Sequence, residues 1–207
     1  MDFYKIDYSN NLVEMNKKDI FKEKIIETAR NVFSKIGFRK TTMVDIAKAL
    51  YKAKSSLYHY FKSKEEILKA VVEREAEIFK EKLESAIGST DDPMEKLIKY
   101  TKTRMKTFNT LANFYTAFKD DYLENYGFIQ KLRKDYDRFE FETIKGILEE
   151  GNRKGIFKVE DTGLTSWAII TAMKGLEYPW AVYENPEKID RDIDALLGVL
   201  FYGILKR

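Results

Sequence analysis

The stretch from Thr41 to Lys64, TTMVDIAKALYKAKSSLYHYFKSK, limits what this chain can fold into more than any other part of it. Ile46, Ala47 and Leu50 recur at helical spacing behind Thr41 and Thr42, either of which can cap a helix with its side-chain oxygen. A second short helix is predicted from about Ser55 to Phe61, with Leu57 and Phe61, four apart, on its buried face. That leaves Lys54, Ser55, Ser56, Tyr58, His59 and Tyr60 to meet a partner. Two short helices around a tight turn, flanked by Lys52, Lys54, Lys62 and Lys64, suit a major groove walled by phosphates.

At these residues a family resemblance becomes specific. Gly37-Phe38, Thr41-Thr42, Ile46-Ala47, Leu57-Tyr58-His59-Tyr60-Phe61 and Lys64-Glu65 resemble the DNA-binding domain of the TetR family of transcriptional regulators, over roughly Ile20 to Val72. The resemblance implies base or phosphate contacts for Lys54, Ser55, Ser56, Tyr58 and His59, and phosphate contacts for Thr42, Tyr60 and Lys64. The chain departs from the pattern in the turn. The family usually has Gly, a buried aliphatic and a small cap residue where this chain has Tyr51, Lys52 and Ala53. A left-handed backbone at Tyr51 would cost roughly 1 to 2 kcal/mol that Gly escapes, which favours a reshaped turn. Ala53 cannot cap the second helix, so Ser55 or a water is expected to meet its first amides.

The charge distribution agrees with a nucleic-acid partner at one end. Residues 1–69 hold 15 Lys and Arg against 9 Asp and Glu, a net of +6, and the remainder holds 22 against 25, a net of −3. A basic head on a mildly acidic body is the footprint of a DNA-binding domain joined to an effector domain. The absence of cysteine excludes disulfides and thiolate metal sites. No apolar run approaches the ~20 residues of a membrane span, and the opening residues lack the apolar core of a secretory signal, so no membrane partner and a cytoplasmic location are expected. Residues 1–17 have no clear period. Asp2, Asp7 and Glu14 offset Lys5 and Lys17, so this extension reads as flexible or packed on the body rather than as a DNA-binding arm.

The rest of the chain reads as helices, giving an all-α fold: a three-helix head with the helix-turn-helix over 18–64, and a larger helical bundle for ligand binding and dimerisation over 65–207. The first helix, about Lys18 to Ile36, should bury Ile25, Ile26, Ala29, Val32 and Phe33 and stop at Gly37. Ser63 should cap a long helix to Ile87, ended by GSTDDP. Further helices are predicted at Pro93–Asn109, Leu111–Leu123, Phe128–Glu150, Thr162–Tyr183 and Pro186–Lys206.

The body is rich in aromatic residues that could line an apolar pocket, most of them serving as ordinary core. Candidate ligand contacts are Leu97, Thr101, Arg104 and Phe108 on one helix face, with Tyr115, Phe118, Tyr136 and Trp167. Arg104 could hold an anionic head group, although a salt bridge to a nearby glutamate is the plainer account. Leu164, Ala168 and Gly175 form a stripe of shrinking side chains, and Ile193, Leu197, Leu200, Phe201 and Ile204 lie on a wide apolar face. Both suit a four-helix interface in a homodimer, as the family implies.

No catalytic constellation can be assembled. His59 is the single histidine and sits in the second short helix, so a Ser-His-Asp arrangement or a multi-histidine metal site is not available elsewhere. No enzyme activity and no cofactor are expected. Two readings remain: a ligand-responsive regulator, a repressor that binds double-stranded DNA at a palindromic operator and is released by a small effector, or a helical protein-interaction module whose head no longer binds DNA.

Overall fold

The computed structural model describes residues 17–114, 131, 133–183 and 186–202, and among them every regular element is an α-helix. The expected N-terminal extension, most of the expected helix Leu111–Leu123, and Tyr115, Phe118 and Ile204 lie outside the described residues. The chain divides into two compact units, with the boundary in sequence between Val71 and Val72.

The head contains α1 (Lys17–Ile36), α2 (Met43–Ala49), α3 (Lys54–Tyr58) and the start of α4 (Lys64–Ile87). α1 buries the stripe its spacing predicts, Ile25, Ile26, Ala29, Val32 and Phe33, and ends at Gly37, whose φ of 86° only glycine adopts without strain. α2 contributes Met43, Ile46 and Ala47, and α3 contributes Leu57. The head extends seven residues past the expected boundary at Lys64 because Ile67, Leu68 and Val71, at helical spacing on α4, are buried with it. Ser63 caps α4 as expected, its Oγ accepting from the Glu66 amide at 3.3 Å.

The body contains the rest of α4 with α5 (Pro93–Phe114), α6 (Lys134–Arg153), α7 (Thr162–Tyr183) and α8 (Pro186–Tyr202). α5, α6 and α7 pack on one another, and α8 packs on α5. Their shared core includes Phe79, Leu83, Leu97, Tyr100, Ile144, Ile147, Ile170, Met173, Ile193 and Leu197. Two expected boundaries differ. α5 runs through Asn109 and Thr110 to Phe114, since neither residue breaks a helix and their propensity cost is only tenths of a kcal/mol. α6 begins at Lys134 rather than Phe128. It ends at a tight turn in which the Gly151 carbonyl accepts from the amides of Ile156 and Phe157 at 2.9 and 3.1 Å.

Candidate nucleic-acid interface and buried body site

The helix-turn-helix is built by local capping. Thr42 precedes α2 and closes a capping box: its Oγ accepts from the Asp45 amide at 3.3 Å, and its own amide donates to the Asp45 carboxylate at 2.9 Å. The Thr42 hydroxyl adds a third bond to that carboxylate at 2.7 Å, and these bonds hold the Asp45 carboxyl below its ordinary pKa. The far end of α2 is a Schellman turn, with the Tyr51 amide on the Lys48 carbonyl and the Lys52 amide on the Ala47 carbonyl, both at 3.0 Å. That turn needs a left-handed residue, and Tyr51 supplies it at φ 55°. The turn is therefore not reshaped; it keeps its geometry and bears the strain of a side chain there.

α3 is shorter than the predicted Ser55–Phe61, ending at Tyr58 with His59 as its C-cap. Beyond it the amides of Tyr60 and Phe61 both bond the Leu57 carbonyl at 2.9 Å, a tightening that still buries Phe61 beside Leu57. Ala53 provides no side-chain cap, as its methyl dictates. Of the predicted contact residues, Lys54, Ser55, Tyr58 and His59 are exposed and Ser56 and Tyr60 half-buried. The Lys54 ammonium lies 5.4 Å from the centre of the Tyr58 ring, and Tyr60 packs edge-to-face on Phe21 of α1 at 5.2 Å.

Lys64 has another task. Its ammonium donates to the carbonyls of Phe38, Arg39 and Thr41 at 2.9, 3.1 and 3.0 Å, and lies 4.5 Å from the centre of the Phe38 ring. All three of its protons are taken, so any attraction it exerts on a phosphate acts without a direct hydrogen bond.

In the body, the stripe Leu97, Thr101, Arg104 and Phe108 faces inward, the first three about 1% exposed. Arg104 is paired with Glu140 of α6, which also accepts from the hydroxyls of Tyr100 at 3.0 Å and Tyr136 at 3.1 Å. Burial pushes the Glu140 carboxyl up, but the Arg104 charge and its hydrogen bonds outweigh that and hold it below the usual range. Burial, reinforced by the Glu140 charge, pushes both tyrosines well above theirs. Thr101 is different: its Oγ is buried and meets no hydrogen-bond partner among the described residues. Trp167 is half exposed, its ring centre 5.2 Å from that of Phe141 with the planes tilted by 34°. Glu140 is the residue the sequence reading missed. The signal was its position: an acid on the stripe Tyr136, Ile144, Ile147 and Gly151.

The candidate dimer residues fall on two sides of their helices. Leu164, Ala168 and Gly175 of α7 are exposed, Leu164 at 69%. Ile193 and Leu197 of α8 instead lie in the core of their own chain, and Leu200 and Phe201 pack partly against it. The cause is that α8 turns this stripe toward α5, anchored by a Lys102–Asp194 bridge of 2.8 Å. Its open apolar positions are Ala195, Val199 and Tyr202, at helical spacing.

A family model for bacterial regulatory proteins of the tetR family matches residues 25–71, the span that includes the capped α2, the left-handed turn and α3. Residues 25–71 are a TetR-family DNA-binding domain. The HTH-type transcriptional regulator QacR of Staphylococcus aureus is 25% identical over 157 residues, which cover 75% of this chain and 83% of QacR. The negative regulator of the icaADBC biofilm operon in Staphylococcus epidermidis, IcaR, is 44% identical over 52 residues, 25% of this chain and 28% of IcaR. A transcriptional regulator from Cytophaga hutchinsonii has a similar structure, with a TM-score of 0.69, 26% identity and coverage of 89% of this chain and 98% of its own. With its TetR-family domain, the chain is a helix-turn-helix regulator of transcription. Among its described residues no group of acidic or histidine side chains could hold a metal ion, and no helix is long and apolar enough to cross a membrane.

Proposed function

We propose that this regulator is a repressor that binds a palindromic operator as a homodimer and is released by a small, largely apolar effector held in its body. The observation that carries the DNA reading is the row of exposed donors on and beside α3. Lys54, Ser55, Ser56, Tyr58, His59 and Tyr60 would read or grip DNA, while Thr42 caps α2 and Lys64 ties the start of α4 to the segment before α2. IcaR is a negative regulator, which supports repression. The outward stripes on α7 and α8 support a homodimer, whose two heads would meet half-sites about one helical turn, roughly 34 to 36 Å, or a multiple apart.

The effector reading rests on Thr101. A buried hydroxyl without a partner costs about 1 to 3 kcal/mol unless something meets it, and an effector with one polar group among apolar walls would do so. Leu97 and Phe108 lie on the same inward face of α5, and Thr101 would orient the effector there, since Arg104 is already paired with Glu140. Binding would favour a state with badly spaced heads, by no more than the effector's own differential affinity for the two states.

Gel shifts on fragments selected from the source genome, repeated at several salt concentrations, test the first part. Affinity that falls steeply with salt is expected. A folded protein that binds no fragment would overturn it and leave the head as a protein-interaction module. For the effector, a compound found by thermal shift should lose affinity on addition of operator by the factor by which it weakens operator binding. A ligand indifferent to operator would overturn the mechanism for that compound.

A further inference from the structure

The turn residue Lys52 stands where the family pattern usually has a buried aliphatic side chain, yet in this chain it is exposed. With Ser56, His59, Tyr60 and Phe21 it lines an open pocket of about 420 Å³ on the head. The lining carries one ammonium, one imidazole and two hydroxyls. It contains no carboxylate, and the Lys52 ammonium forms no ion pair among the described residues. Such a set of donors around a single positive charge matches an oxygen-rich anion of phosphate type. Phe21 forms an apolar wall, and its edge-to-face contact at 5.2 Å fixes the Tyr60 ring.

We propose that this pocket seats one phosphate of the DNA backbone, with Lys52 as its charge. The inference rests on α3 being the recognition helix. Three of the five lining residues, Ser56, His59 and Tyr60, belong to α3 and the turn that follows it, so a duplex held by α3 would bring its backbone to the pocket. A free anion would meet only one fixed charge in an open site and bind weakly. A phosphate tethered to a docked duplex arrives at far higher effective concentration. Lys52 would then add sequence-independent affinity, compensating in part for the strained turn it sits in.

The test is the salt dependence of binding to a selected operator and to an unrelated duplex, for the wild type, Lys52→Met and Lys52→Arg. Methionine keeps the aliphatic length and removes the charge. The log–log salt slope should become shallower by about 0.9 in Lys52→Met, with a similar loss of affinity on both duplexes, and arginine should restore it. An unchanged slope in Lys52→Met, beside a steep slope in the wild type, overturns the proposal and spares the DNA reading. A wild type that binds neither duplex overturns the DNA reading itself. Titration of inorganic phosphate, followed by the His59 ring resonances at constant ionic strength, separates the two sources: tight saturable binding without DNA would overturn the backbone assignment in favour of a free anion.

Discussion

Arg104 on α5 and Glu140 on α6 form an ion pair sealed from solvent, their side chains 1% and 0% exposed. Among the described residues the carboxylate takes four bonds, two from the guanidinium, one of them 3.3 Å from Nη2, and one each from Tyr100 and Tyr136. Removing one charge leaves the other buried, which typically costs about 3 to 5 kcal/mol. Arg104→Met and Glu140→Leu should each destabilise the protein on that scale, and the double variant should lose clearly less than the sum. Urea unfolding through a double-mutant cycle measures this; additive losses would mean the pair is not coupled.

The same cluster sets a pH window. Glu140 has its carboxyl below the ordinary value of 4.5, so its contribution to stability is fully present above that value and is lost as pH falls through its lower folded value. Tyr100 and Tyr136 lie above the ordinary 10.0, so they stabilise fully below it and withdraw stability as pH rises beyond it. Stability should therefore fall on both sides of a neutral plateau. Tyr136→Phe should make the alkaline fall shallower, read as the unfolding midpoint between pH 9 and 11, a range set about the ordinary tyrosine value. An alkaline limb unchanged by that substitution would remove Tyr136 from the account.

Tyr51 is 95% exposed with φ 55°, so its side chain contributes little burial while its backbone is strained. Tyr51→Gly should stabilise the head by about 1 kcal/mol, the left-handed penalty less the glycine entropy cost. Thermal unfolding checks the sign. A lower melting temperature would show that the tyrosine ring makes up for the strain.

Lys64 separates a structural from a phosphate role. Charge-assisted hydrogen bonds contribute about 1.5 to 3 kcal/mol each when buried and less at a half-exposed site. Lys64→Met should cost about 1 to 3 kcal/mol of head stability while leaving the salt slope of DNA binding nearly unchanged. A stable variant with a slope shallower by about 0.9 would mean that the ammonium leaves the carbonyls for a phosphate.

What the sequence made legible was local. The α1 stripe and the Thr42 cap depend on residues within a few positions of one another, and periodicity reads those directly; the turn at Tyr51, expected to be reshaped, instead keeps its left-handed geometry. Lys64 and Glu140 were not legible in the same way. Lys64 binds carbonyls 23 to 26 residues away, and Glu140 is neutralised from 36 residues away, distances that only tertiary packing resolves. The outward face of α8 was hidden for a related reason. Its apolar residues surround most of the helix, so hydrophobicity alone could not say that Leu197 faces in and Val199 out.

That distinction decides how the dimer should be tested. Val199 is 54% exposed and Leu197 is 6% exposed, two positions apart on α8. An arginine at Leu197 would place a charge in the core of its own chain, and several kcal/mol of lost stability would follow whatever the oligomeric state. An arginine at Val199 leaves the monomer core alone. If two copies meet through the open stripes of α7 and α8, Val199→Arg buries unmatched like charges only in the dimer and should give a folded monomer. Light scattering beside circular dichroism separates the cases. A Val199→Arg protein that remains a dimer at low concentration, with its helicity intact, would move the interface off this face of α8.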